Sequence, residues 1–261
     1  MITPKTAAGT TTLGAMTLGA TTLGASALIA AGLIVASTGT GSATPPEAAP
    51  TAAPTPDPAD FGDPKGNPYF PLVPGTVSRY RGTDEGQRFR ERLAVSNDTK
   101  MIQGIETTVV NDVTRRVDGS LAEKTKDWYA ADNDGNVWYF GERTATYDRQ
   151  GHVKSREGSW QAGHDGARAG LIMPADPHPT DAYRQELRRG DAEDQAWIVQ
   201  NDAAITTDYR HFDHVVRSFE WTRLEPRVVS LKFYAPGFGI VTEKDVAGGS
   251  EVFVLVSVTH R

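Results

Sequence analysis

The most regular pattern in the chain lies near its end, where Val252, Val254, Val256 and Val258 recur with strict period two. Alternation of this kind puts four β-branched side chains on one face of a strand. Two similar runs precede it, Val228 to Tyr234 and Ile240 to Val246. They are separated by the breaks Ala235-Pro-Gly237 and Ala247-Gly-Gly-Ser250. Together the three runs predict an antiparallel meander.

The same alternation extends upstream. Thr76 to Arg81 and Gln87 to Val95 flank a Gly-bounded loop, Gly82-Thr-Asp-Glu-Gly86. Ile105 to Val117 is rich in β-branched residues and stops at Asp118-Gly119. Lys124 to Ala131 and Val137 to Tyr147 surround Asp134-Gly135, and Lys154 to Gln161 follows Arg149-Gln-Gly151. Turn signals roughly 8–12 residues apart mark an antiparallel all-β domain. Ala182 to Gln200 is rich in helix formers, but Gly190-Asp191 sits where a hairpin turn would, so the reading is strand, turn, strand.

The central hairpin concentrates the aromatics. With Asp134-Gly135 as a two-residue loop, the opposed pairs are Ala131 with Trp138, Ala130 with Tyr139, Tyr129 with Phe140 and Trp128 with Gly141. Trp138, Tyr129 and Phe140 then share one face, and Trp128 and Tyr139 the other. Both faces are apolar, which implies cover on both sides: a two-sided core, or one packed face and one that lines a cavity.

The N-terminal quarter has a different character. Residues 1–43 carry one charge, Lys5, then an apolar run from Ala25 to Ala36, then Gly41-Ser42-Ala43. This order reads as a secretory signal, with an uncleaved N-terminal anchor as the alternative. Residues 44–65 are rich in Pro, Ala and Thr and read as a semi-extended disordered linker. Residues 66–261 form the β domain. The expected location is therefore secreted or extracytoplasmic. The chain has no Cys, so its own core must hold it together without disulfides, and no lipid-attachment Cys is present. Beyond the signal, 33 acidic side chains stand against 26 basic ones. That balance excludes a whole-domain footprint for nucleic acid.

Motifs for chemistry are sparse. Asp132, Asp134 and Asn136 alternate, but glycine and glutamate are misplaced for an EF-hand, and a turn selects the same residues. His211 and His214 lie three apart with no accompanying ligand, so the expectation is a surface loop and no metal. Gly237-Phe-Gly239 precedes a strand and reads as a turn, no serine sits in a nucleophile elbow, and no cofactor is expected. Carboxylates such as Glu186, Glu193, Asp194, Glu220 and Glu225 are plentiful but cannot be paired from sequence. One electrostatic feature stands out. Arg79 and Arg81 alternate on one strand, and Arg88, Arg90 and Arg92 on its hairpin partner. A strip of guanidiniums of this kind suits an anionic envelope component.

Several stretches occur in an order that resembles a family of exported bacterial proteins without assigned activity. They are Asn67-Pro-Tyr-Phe-Pro-Leu-Val-Pro-Gly75, the central hairpin, Gly158-Ser-Trp-Gln-Ala-Gly-His-Asp-Gly166, Met173-Pro-Ala-Asp-Pro177, Glu220-Trp-Thr-Arg-Leu-Glu-Pro226 and Tyr234-Ala-Pro-Gly-Phe-Gly-Ile-Val241. The last is also loosely similar to the closing strands of LolA-like lipoprotein-carrier domains. That resemblance implies a curved antiparallel half-barrel over an apolar cavity and supplies no catalytic residues. The combined expectation is a non-catalytic envelope protein that binds a lipid or other amphiphile in a concave sheet, lined by Trp128, Tyr139, Trp160 and Trp221. The alternatives are a hydrolase of cell-wall polymer using paired carboxylates, and a purely structural envelope protein. The oligomeric state is not legible.

Overall fold

The computed structural model describes residues 55–260. The signal segment and the first part of the linker lie outside the described residues. The rest is mainly antiparallel strand. Five strands come first: β1 (Val77–Asp84), β2 (Gln87–Ile102), β3 (Ile105–Arg116), β4 (Leu121–Ala131) and β5 (Val137–Tyr147). Short strands follow: β6 (Val153–Ser155), β7 (Trp160–Gln161), β8 (Arg168–Met173), β9 (Ala182–Arg184) and β10 (Glu186–Leu187). Five longer ones complete the chain: β11 (Asp194–Thr206), β12 (His211–Thr222), β13 (Val229–Ala235), β14 (Gly239–Ala247) and β15 (Val252–Thr259).

All belong to one sheet, ordered β10-β8-β5-β4-β3-β2-β1-β15-β14-β13-β12-β11-β9, with β6 and β7 also paired to β5. Its two ends, β9 and β10, are consecutive in sequence and separated by Gln185 alone. The sheet therefore curls back on itself into a nearly closed barrel. Gly170 on β8 permits this closure, because a Cβ there would collide with the backbone of Arg184 and Gln185. Strand twist supplies the curl, and closure protects the edges.

The central hairpin folds in a register one residue away from the expected one. Tyr129 opposes Tyr139, Ala130 opposes Trp138 and Ala131 opposes Val137. The cause is Asp132. Its carboxylate accepts from the Asp134 N–H (3.0 Å), the Asn136 N–H (2.8 Å), Asn136 Nδ2 (2.9 Å) and Trp138 Nε1 (2.9 Å). Asp132 N–H also donates to the Asn136 carbonyl, leaving a three-residue loop with Gly135 at φ 96°. This is the next most favourable hairpin after the two-residue one. A one-residue slip changes which side chains share a face, so Tyr129 and Tyr139 stack, centroids 4.5 Å apart, instead of facing opposite ways. Both faces of the hairpin are covered, with Tyr139 and Phe140 each fully buried.

Other departures are local. The first hairpin turns at Glu85-Gly86, since both strands run further than expected. Lys154 to Gln161 breaks into β6 and β7. His211 and His214 open strand β12 instead of sitting in a loop; a register shift between Ala203 and Ile205 accompanies the φ of 54° at His214. Both imidazoles are exposed, tied to Asp213 and Asp202 respectively. Residues Pro58–Phe61, inside the stretch assigned to the linker, form a 3-10 turn, and Phe61 packs edge-on against Phe140 at 5.9 Å. Asn67 then pins the strap over the hairpin: its Nδ2 donates to the carbonyls of Gly135 (2.9 Å) and Pro174 (2.8 Å).

Candidate functional site

Cross-strand pairs share a face, so the register of β1–β5 sorts charges unambiguously. One set of rungs is Tyr80–Glu91–Thr114–Glu123, Leu93–Asp112–Thr125–Thr144 and Val95–Val110–Asp127–Glu142. These side chains face the barrel interior, and Asp112, Glu123, Asp127 and Glu142 are buried. The opposite face carries Arg79–Arg92–Val113–Lys124, Arg81–Arg90–Arg115 and Asn111–Lys126–Arg143. The wall is acidic inside and basic outside.

β10 and β12 add Glu186 and Glu220 to the buried acids, β14 adds the half-buried Glu243, and β13 supplies a counter-ion. Lys232, 3% exposed, reaches Glu220 and Glu243 at 3.2 Å each. Burial alone would raise Glu220. Lys232, with donors Tyr234 OH (2.7 Å), Ser218 Oγ (2.7 Å) and Gln185 Nε2 (3.1 Å), instead holds it below its ordinary range. For the other interior acids, Glu243 beside Lys232 and Asp127 under the Tyr139 hydroxyl (2.7 Å) included, burial outweighs such partners. Burial first, and the charges of Glu186, Asp127 and Glu123 next, hold Glu142 well above its usual range. Glu186 is raised the same way, by burial and then by Asp194 and Asp127. Asp112 is pushed up to about 6 and Asp194 to about 7, in each case mainly by burial. Burial therefore works against the charged form of most of the interior carboxyls.

The concave interior is filled. Its cavity, lined by residues including Val95, Val110, Tyr129, Ile172, Lys232 and Tyr234 under the strap residues Phe70 and Leu72, measures about 60 Å³. That holds a few waters, against roughly 300–1,000 Å³ for a typical ligand site.

A second pocket, about 340 Å³, opens at the seam where the free edge of β5 passes from β8 to β7. Its lining combines Trp128, Trp160 and Gln161 with Lys100, Arg143 and Arg188, and Glu142 forms part of it. Glu142 is 2% exposed, and neither carboxyl oxygen has a hydrogen-bond partner. Lys100 Nζ sits 3.3 Å over the Trp128 ring and donates to Gln161 Oε1 at 2.6 Å. Burial, then the charge of Arg143, holds this ammonium below its ordinary value. Arg188 is anchored by the Ser159 carbonyl (2.7 Å) and by Asp191 (3.2 Å).

Of the residues singled out in the sequence, Trp128 and Trp160 meet here. Tyr139 stands behind Trp160, ring centroids 5.3 Å apart, and does not line the pocket. Trp221 lies on β12 opposite Gln195 and takes no part. Arg79, Arg81, Arg88, Arg90 and Arg92 do share one outer face, joined by Arg115. Glu142, Lys100, Arg143 and Arg188 were not singled out. The sequence carried one signal of them, the alternation of opposite charges in Glu123-Lys-Thr-Lys-Asp127 and Glu142-Arg143. Among the described residues no group of three or more His, Asp or Glu side chains is arranged to hold a metal ion.

No protein-family model matches the chain, and no curated protein matches it. Solved structures do. One is a protein from Bacteroides fragilis inferred to be exported, with a YmcC-like fold: 13% identity, 73% of this chain and 98% of that chain covered, TM-score 0.43. Another is inferred to be a lipoprotein, from Parabacteroides distasonis: 12% identity, 75% and 100% coverage, TM-score 0.42. At this distance the likeness concerns the path of the chain and assigns no role to any residue.

Proposed function

We propose that this is an exported, non-catalytic envelope protein that binds an anionic, hydroxyl-rich ligand, such as an acidic sugar unit, in the seam pocket. One observation carries the reading: three cations, Lys100, Arg143 and Arg188, line one pocket against a single exposed acid, Asp165, which lies 3.7 Å from Arg188. The charge of Arg143 disfavours that of Lys100, a cost that a bound anion offsets. Ser159 and Gln161 add hydrogen-bonding groups for hydroxyls along the same lining, while the Glu142 carboxyl lies buried behind it on the interior face. Export rests on the signal-like residues 1–43. The ligand moves from the concave face to the seam because the interior has no room for an amphiphile.

The test is ligand-observed NMR on the full chain with glucuronate, glucose 6-phosphate and glucose. Both anions are expected to bind and glucose to bind at least about tenfold more weakly. Arg143→Ala, an exposed side chain, should cost the anions a similar factor without changing the circular dichroism. Equal binding of glucose, or an indifferent Arg143→Ala, sinks the reading.

The neighbouring carboxyls Glu142 and Glu186 favour a second reading, hydrolysis of a wall polymer. General acid–base chemistry on a glycoside needs two carboxyls pushed to opposite protonation states. Here burial raises both, and Glu142 lines the pocket while Glu186 does not. Release of reducing ends from a wall polysaccharide, abolished by Glu142→Gln, would restore hydrolysis as the leading reading.

A further inference from the structure

The outer face of β1–β3 is built against itself. Arg79 directly opposes Arg92, and Arg81 opposes Arg90, which in turn opposes Arg115. Like charges at directly opposed positions destabilise a sheet. Arg81 has Asp208 as an ion-pair partner. Arg88, Arg90 and Arg92 are exposed and have none among the described residues. The remaining outward positions in these rungs are Val77, Thr83, Ala94, Asn111 and Val113, so the strands themselves put no carboxylate in the patch, and Asp208 meets it only at Arg81. Glu91 and Asp112, the acids that share these rungs' strands beside the arginines, lie on the inward face, and the exposed acids Asp98 and Glu106 lie at the far end of the β2–β3 hairpin. On a chain of net charge −6, this arrangement concentrates positive charge where solvent or a partner meets it.

We propose that this arginine face docks a linear, phosphate-bearing polymer. Guanidiniums recur about 6.8 Å apart along each strand and about 4.8 Å apart between strands. They form rows along which successive phosphates can each take a bidentate contact. A bilayer fits less well. The wall of a barrel is convex, and the outward positions between the arginines carry no aromatic or long apolar side chain to enter the headgroup region. The surface lies on β1–β3 and does not depend on the seam pocket, which is formed by other residues.

The experiment uses the full chain and inorganic polyphosphate of defined length, with orthophosphate and anionic phospholipid vesicles as comparison arms. Polyphosphate is expected to bind at least about a hundredfold more tightly than orthophosphate, and binding should weaken steeply with added salt. Arg92→Glu converts an Arg–Arg rung into an Arg–Glu rung. It should lower polyphosphate affinity by at least about tenfold while raising the Tm by about 1–3 °C. The same variant should leave glucuronate binding untouched, and Arg143→Ala should do the reverse, so this proposal and the pocket reading fail separately. Binding unchanged in Arg92→Glu overturns the proposal. So does vesicle binding as tight as polyphosphate binding with the same dependence on Arg92, which would make the face a membrane contact.

Discussion

At the scale of single residues, Lys232 decides whether the interior can hold its acids. It is the cation at the centre of a buried network, and Glu220, Tyr234, Ser218 and Gln185 converge with it. Removing one partner of a buried pair leaves the other as an uncompensated charge. Lys232→Met should therefore cost about 3–5 kcal/mol near neutral pH, read from denaturant unfolding. The loss should shrink toward pH 4, because Glu220 and Glu243 can then take up protons and no longer need a counter-ion. A loss that is independent of pH would mean that packing, not charge, is what Lys232 contributes. Asp132 is the second decisive residue. Four donors on one carboxylate moved the hairpin by one register step, and no propensity rule weighs a side chain that way. The aromatic content of the hairpin was legible; which aromatics share a face was not.

At the scale of elements, the strands were legible because period two and glycine-bearing turns are local signals. Their closure was not, since β8 meets the β9–β10 junction through residues about fifteen positions apart whose only mark is a glycine. Gly170 should tolerate no side chain: Gly170→Ala should destabilise by about 1–3 kcal/mol or more, because backbone and not a flexible side chain occupies the space. A midpoint unchanged in urea would show that the junction is loose. The seam pocket has the same origin. Lys100, Trp128, Glu142, Gln161 and Arg188 come from four strands and a loop, and meet only because β5 is edged by short pieces, β8, β7 and β6 in turn. The arginine strip needed one hairpin and was readable from spacing alone. Alternation gives the period of a strand but not which side is inside. In β4 the acids of Glu123-Lys-Thr-Lys-Asp127 face inward, contrary to the usual polar-out pattern.

At the scale of the whole molecule, the barrel stores protons. Asp112 at about 6 and Asp194 at about 7 lie above the usual aspartate value, and burial raises Glu123, Asp127, Glu142 and Glu186 as well. The folded state keeps protons that the unfolded chain releases above about pH 4, so stability falls as pH rises from about 4 through 7. Thermal unfolding should show a Tm several degrees higher at pH 5 than at pH 8. A Tm that climbs over that interval would mean the acids are ionised in the fold.

Glu142 joins these scales, as one residue on the seam of one element and part of the proton store of the whole barrel. A carbon-13 NMR titration of its side-chain carboxyl in the full chain, with and without glucuronate, tests this most directly. The expected result is a resonance that titrates above the ordinary glutamate range, whose titration shifts when glucuronate fills the pocket in front of it and does not shift with glucose. A carboxyl that titrates in the ordinary glutamate range, or whose titration is unchanged as glucuronate is added to high concentration, would contradict a raised, buried Glu142 directly behind an anion-binding pocket.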